Sequence, residues 1–319
     1  MNSEEFKIIL GLTIQMGKIS SDQSVLKFFN AIDFSYIRDI RDLTEAINHV
    51  GNIKKIISES DILIAQAEME NHLKHGILPV PFGSDNYPTC LAITPNAPAM
   101  LYIKGHLEIL SELPGVAIVG SRDISRAGEE ITRRITNQVV SAGYIVISGL
   151  AIGTDSNAHK ATLQAKGKTI AVLAHGLEEA KPKQNSSLAQ EILEKGGAWI
   201  SEFPMGRPAQ KQSFVQRNRI QVGLSAGSIL IEGTRDSGTM TQAEFANKAS
   251  RPVFAVVPHI GGNPLKLHCD GTVDLVENHK AIALKTKQDY AKMLAIIDKS
   301  KEKLLDLKIT QAQHGLNLT

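Results

Sequence analysis

Arg217, Asn218 and Arg219 set two guanidinium groups two residues apart around an amide. A guanidinium is a planar fork of donors that does not lose its charge, so a pair of them near a strand end makes a seat for phosphate. Phe214 and Lys211 lie just upstream. Downstream, Ser228 to Glu232 is short and apolar enough for a buried strand, and Asp236-Ser237-Gly238 ends a glycine-containing turn.

The elements that position such a set are legible after Pro114. Apolar segments GVAIVG, YIVIS, TIAVLA, AWIS, SILIE and PVFAVV recur at roughly 20 to 30 residues with helical stretches between them, the pattern of parallel strands joined by crossover helices. In a sheet of that kind, ligands sit where strand carboxyl ends meet helix amino ends, because free N–H groups and the helix dipole favour an anion there. The loops at those ends are therefore the candidates. The first is Gly120-Ser121-Arg122-Asp123, and the second runs from Ser148 through Gly149 and Gly153 to Asp155, opening a helix that carries His159. The remaining loops hold His175-Gly176, Ser201-Glu202 and Gly233 to Gly238.

Asp155 and His159 are four residues apart at a helix start, a spacing open to metal binding or proton relay. An aspartate there also caps free N–H groups and complements the dipole, and the reading adopted is structural. With no CxxC pair and no nearby HxxxH, Cys90 and Cys269 read as ordinary reduced thiols, and neither a metal nor a cofactor is expected.

Residues 1 to about 75 lack proline and show helical spacing, with Phe6, Ile9, Leu10 and Ile14 on one stripe and Val25, Leu26, Phe29 and Ile32 on another. Ile53, Ile56, Ile57, Ser60, Leu63, Ile64 and Ala67 continue the pattern. From Ile77 a run of prolines forbids a long helix and favours extended chain with turns, closed by a short strand at Met100 to Lys104. Past about residue 285, spaced apolar residues predict one or two terminal helices and a loose tail. The expected organisation is a small helical N-terminal domain (1–75), an α/β domain (76–285) and a helical tail (286–319).

The chain has 319 residues, a net charge of +2, and no apolar run of membrane-spanning length. It reads as cytoplasmic, without a signal peptide, and any basic surface must be local. Three familiar motifs fail on context. Gly167-Lys168-Thr169 lacks the P-loop's first glycine, since residue 162 is Thr, and precedes a strand. Gly223 to Gly227 spells a nucleophile elbow but lies between helix and strand, so Ser225 reads as a turn residue. GVAIVG is followed by Ser121 and Arg122 without the dinucleotide glycine fingerprint.

The motifs GVAIVGSR (115–122), SGLAIGTDSNAH (148–159), GKTIAVLAHGL (167–177), SEFPMG (201–206), FVQRNRIQVGLS (214–225), SGTMTQAEFA (237–246) and RPVFAVVP (251–258) together resemble the DNA-processing protein A (DprA/Smf) family. The resemblance covers about residues 77 to 275. It implies an extended Rossmann-like fold, a homodimer, single-stranded DNA binding without catalysis, and loading of the RecA recombinase during natural transformation. It also implies that Arg122, Arg217 and Arg219 border the DNA pocket, with Lys211 as a further basic contributor. Val215, Gln221 and Val222 depart from the family pattern, as do Lys181-Pro182 and GGNPLKLHCDGT, and the residues after 285 are too few for the winged-helix module of many relatives.

Gly120, Ser121 and Arg122, with Phe214, Asn218, Ser237 and Gly238, complete the candidate phosphate-binding set. Gly149, Gly153, Asp155 and His159 form its supporting loop. Phosphate forks without a groove-reading helix predict preference for single strands with little sequence preference, and three or four contacts predict a log–log salt slope of roughly −2 to −3. The alternative is a nucleotide sensor, of a kind that could serve phage defence, or a phosphoribohydrolase-like enzyme. Against hydrolysis, Gln242 stands where such enzymes carry a catalytic carboxylate.

Overall fold

The computed structural model describes residues 1–17, 24–50 and 55–313. Four helices come first: α1 (Ser3–Gln15), α2 (Val25–Ala31), α3 (Ile40–His49) and α4 (Glu59–Lys74). Asn2 caps α1 and Ser58 caps α4, each in a reciprocal capping box that satisfies two free amide groups at the helix start. Ile53 and Lys54 lie outside the described residues. The stripe expected on α4 is out of phase: Ile56, Leu63 and Ile64 are exposed, while Ile62, Ala65, Met69 and His72 face inward. The inward set follows i, i+3, i+7, i+10, and it is completed by a histidine that a reading of apolar residues alone passes over.

A nine-stranded sheet follows: β1 (Ile77–Pro81), β2 (Met100–Gly105), β3 (Gly115–Val119), β4 (Val146–Ser148), β5 (Thr169–Val172), β6 (Ala198–Ser201), β7 (Ser225–Leu230), β8 (Val253–Val256) and β9 (Ile282–Leu284). Its order is β1-β2-β6-β5-β4-β3-β7-β8-β9, with β1–β2 and β2–β6 antiparallel and the other pairs parallel. The short helix α5 (Thr89–Ala92) joins β1 to β2. The crossovers are α6 (Arg126–Ser141), α7 (Thr154–Gln164), α8 (Ser186–Glu194), α9 (Lys211–Gly223), α10 (Gly238–Lys248) and α11 (Asp270–Glu277), and α12 (Asp289–Gln313) closes the described chain. This is the α/β architecture expected, with helical segments ahead of it. The predicted loose tail lies outside the described residues.

Two strands escaped the sequence reading. β1 contains Pro79 and Pro81 and survives as an edge strand, the position where a missing N–H does least harm. β9 is three residues long and pairs at the opposite edge. Ser225 is a correction: it begins β7 rather than sitting in a turn, and its hydroxyl donates to the Gln221 carbonyl at 2.6 Å.

Strands β3 to β8 are buried on both faces, as parallel strands must be when helices cover them. The N-terminal helices share a core with the β2, β5 and β6 side of the sheet, with Phe6, Ile9 and Ile62 in one cluster with Tyr102, Ala171 and Trp199. Polar contacts pin the same junction. His72 Nε2 accepts from the Met205 amide at 2.9 Å, and Arg207 donates to the Gln15 carbonyl at 2.6 Å. The Tyr102 hydroxyl donates to Gln15 Oε1 at 2.6 Å, and Gln15 Nε2 donates in turn to the Glu202 carbonyl at 3.1 Å.

Candidate nucleic-acid interface

The carboxyl ends of β3 and β7, with the amino ends of α9 and α10, enclose a cleft of about 940 Å³. That is within the range of small-molecule sites, about 300–1,000 Å³. Helix periodicity explains much of its lining. Lys211, Phe214, Asn218 and Gln221 are spaced i, i+3, i+7, i+10 along α9 and share one face, with Arg217 beside them.

The mouth is exposed and carries both signs of charge, Arg122 and Lys211 beside Asp123 and Asp236. Arg122, on the loop after β3, lies over the Phe214 ring at 5.5 Å from its centroid, a contact worth about 0.5–1 kcal/mol at an exposed site. Phe214 keeps 37% of its surface exposed, and Lys211 is exposed at the first turn of α9. A partly exposed ring beside a guanidinium is a combination that can stack a base and hold a phosphate. Gly120 also lines the cleft, whereas Ser121 spends its hydroxyl on its own turn, donating to the Asp123 carbonyl at 2.8 Å.

Arg217 is buried in the floor, where Nη1 donates to the Val172 carbonyl at 2.8 Å. Burial pulls its pKa down, and the charge of Asp155 opposes that shift. Asp155 accepts from the amides of Gly149 at 3.1 Å and Ala151 at 3.4 Å. Burial pushes this carboxyl up, against the pull of Arg217 and those amides. A Cβ at Gly149 would lie 1.5 Å from Arg217 Nη1, so the buried guanidinium is seated against this glycine and would have to move if it gained a side chain. Gly153 is required twice over, by its φ of 87° and by a would-be Cβ contact of 2.4 Å with the Ser121 carbonyl oxygen.

His159 is fully buried and shares a 2.7 Å hydrogen bond with the Thr169 hydroxyl. That hydroxyl donates to the Val146 carbonyl, so His159 Nδ1 carries the proton and donates. Burial, then the charge of Arg217, drives its pKa to about 3 and keeps the ring neutral. Among the described residues no group of three or more His, Cys, Asp or Glu side chains is arranged to hold a metal.

Arg219 is not brought to the cleft. Two residues along a helix is a rotation of about 200°, so it leaves the opposite side of α9 from Arg217. There it forms a bidentate pair with Glu202, at 2.7 and 2.5 Å, and donates to the Asn96 carbonyl at 2.8 Å. Its charge ties α9 to the loop after β6.

Asn218 links the helices of the cleft by donating to the Gly238 carbonyl at 3.2 Å. Ser237 is the N-cap of α10 without making a side-chain cap, and its hydroxyl is buried without a partner among the described residues. Gly238 opens that helix at the cleft wall.

His268 was missed in the sequence because it sits in the divergent GGNPLKLHCDGT stretch. It lines the cleft, and its Nδ1 lies 2.8 Å from the Asp123 carbonyl. This bond, then the Glu232 and Asp123 charges, raises its pKa above the ordinary 6.5. Glu232 places it: this fully buried carboxylate accepts from the His268 amide at 3.0 Å and from the Ser125 amide and hydroxyl at 2.9 and 2.7 Å. Only the fold exposes that role, since Glu232 ends an apolar run and its partners are far away in sequence.

A mainly parallel sheet covered by helices, with a cleft at the carboxyl ends of its strands, defines an open-sheet α/β protein. Residues 79–295 match the model of the family described as DNA recombination-mediator protein A, and the chain belongs to that family. It is 34% identical over 247 residues to protein Smf of a Synechocystis species, a match covering 76% of this chain and 61% of that relative. Thus the chain spans less than two thirds of that relative's length.

Among solved structures, DNA processing protein A from Streptococcus pneumoniae is 28% identical with a TM-score of 0.71, over 92% of this chain and 98% of that one. DNA processing protein A from Helicobacter pylori, studied for its single-stranded DNA binding mode, is 28% identical with a TM-score of 0.59, over 66% of this chain and 94% of that one. Among the described residues no helix is long and apolar enough to cross a membrane.

Proposed function

We propose that this protein binds single-stranded DNA in the cleft, without catalysis of its own, and that it shields the strand and delivers it to a RecA recombinase during DNA uptake. The observation that carries the reading is Arg122 over Phe214 with Lys211 on the same rim. Cations there hold phosphates and an exposed ring stacks a base, a combination that follows a flexible strand and reads little sequence. The recombinase step and a homodimeric assembly rest on family membership. Gln242 in the floor supports the non-catalytic part, because an amide cannot exchange the proton that a hydrolytic carboxylate would.

Titration with a labelled single strand, the corresponding duplex and free nucleotides tests the reading. The single strand is expected to bind best. With Arg219 engaged elsewhere, two or three contacts predict a log–log salt slope of about −1.4 to −2. Equal or tighter binding of duplex overturns the reading, as does nucleotide hydrolysis that disappears on changing Gln242. A recombinase-loading assay on strand coated with single-strand-binding protein tests the partner. Light scattering tests the dimer against the chain mass of 34.6 kDa.

A further inference from the structure

Where the N-terminal helices meet the sheet, one histidine ring is held by backbone on both sides. His72 of α4 is fully buried, with Nδ1 2.7 Å from the Glu68 carbonyl oxygen and Nε2 2.9 Å from the Met205 amide nitrogen. A carbonyl only accepts and an amide N–H only donates, so Nδ1 carries the proton and Nε2 offers its lone pair. A second proton has no place there: on Nε2 it would point at the Met205 N–H and set two donors against each other.

Met205 belongs to the loop after β6, residues 202–210, which works as a strap. Its Arg207 side chain donates to the Gln15 carbonyl of α1, its Gly206 amide donates to Glu178 at 3.2 Å, and its Arg207 carbonyl accepts from the Gly176 amide at 3.0 Å. At the other end, the Glu202 carbonyl accepts from Gln15 while the Glu202 carboxylate holds Arg219 of α9. The strap thus joins the N-terminal helices to a helix of the cleft wall. Among its partners His72 is the one whose ordinary pKa lies near neutrality.

The ring lies against Tyr102 of β2, centroids 5.0 Å apart, and Tyr102 in turn holds the neutral Gln15 of α1. The charged groups near it are Glu68, whose carboxylate stands 3.5 Å from Nδ1, and His75 on its own helix, with Glu178 from the loop after β5. Arg207 of the strap and Lys104 of β2 are turned to the carbonyls of Gln15 and Leu177. Burial outweighs the two carboxylates and lowers the pKa of the ring.

We propose that His72 is a proton-sensitive latch: neutral, it holds the strap to the N-terminal helices, and on protonation it releases the strap, loosening the seat of those helices and the Glu202 support of α9 together. The closed ring refuses a proton that the open, solvated ring takes near pH 6.5. Closure is therefore complete above that pH and weakens below it, by about tenfold in the opening equilibrium for each pH unit.

Hydrogen exchange of the full chain, expressed as protection relative to the intrinsic rate at each pH, tests the latch between pH 7.5 and 5.5. Protection of residues 203–207 is expected to fall about tenfold in wild type and to stay level in His72→Gln, whose amide oxygen accepts from Met205 without titrating. Strap amides are expected to stay less protected than those of β3 and β7 throughout, the mark of a local opening. Trp199, the single tryptophan, shares the core of this junction, and its quenching by acrylamide should rise over the same step. Unchanged strap protection in wild type overturns the proposal, as does an equal fall in folded His72→Gln, or strap protection that coincides with that of β3 and β7. Should His72→Gln fail to fold, the ring-nitrogen NMR shifts of wild type carry the test. Protonation of His72 and loss of strap protection must then share one midpoint, and separate midpoints overturn the latch.

Discussion

Arg217 and Arg219 stand two residues apart on one helix and serve opposite faces of it, Arg217 against the Val172 carbonyl in the cleft floor and Arg219 against Glu202 outside it. Arg219 and Glu202 each keep 14% side-chain exposure, so removing one partner strands a largely buried charge. Arg219→Ala is expected to lower stability by about 2 kcal/mol or more, while the salt slope of DNA binding stays that of the wild type. Denaturant unfolding beside a salt titration checks both halves, and a reduced slope would return Arg219 to the interface.

Arg122 is the opposite case, exposed and engaged with Phe214 at 5.5 Å. Arg122→Ala is expected to weaken single-strand binding and make the salt slope shallower by about 0.7, one contact's share, with melting nearly unchanged. Wild-type affinity and slope in this variant would place the DNA elsewhere.

Gly149→Ala tests the floor without replacing a charged residue. Its methyl would fall 1.5 Å from Arg217 Nη1, so the guanidinium must leave its bond to Val172. A loss of about 2 kcal/mol or more is expected, because a buried charge loses its partner. Unfolding midpoints equal to wild type would show that Arg217 has another place to go.

His268 makes the cleft pH-sensitive. Its raised pKa means that the ring gains its charge as pH falls through a value above 6.5. Protonation adds a cation to the site, so single-strand affinity should rise from pH 8 to pH 6 and its salt slope steepen. His268→Gln should flatten that dependence; a pH profile identical to wild type would refute the role.

Stability has its own pH dependence, to which His159, with a pKa of about 3, contributes alongside His72 and His175, whose pKa values burial also lowers. In the unfolded chain histidine titrates near 6.5, so below that pH the unfolded state binds a proton the native state refuses. Stability should therefore fall as pH drops from 6.5 toward 5, by about 1.4 kcal/mol per pH unit for this residue. Asp155, raised by burial, acts with the opposite sign nearer the carboxylate range. The melting temperature followed across this window should decline less steeply in His159→Gln than in wild type.

Local rules were enough to read the parallel strands, the crossover helices and the loops that carry Arg122, Gly149 and Gly153 from the chain alone, because strand runs, helix spacing and turn glycines are short-range signals. The helical face bearing Lys211, Phe214, Asn218 and Gln221 was also implicit, through the period of 3.6. That Arg217 and Arg219 leave α9 on opposite sides follows from the same period, but the partner each meets, Val172 or Glu202, does not, since both come from the ends of other strands. The same holds for Glu232, His268 and His72. Their roles depend on burial and on neighbours distant in sequence, and only the packed sheet and helices bring those neighbours within hydrogen-bonding reach.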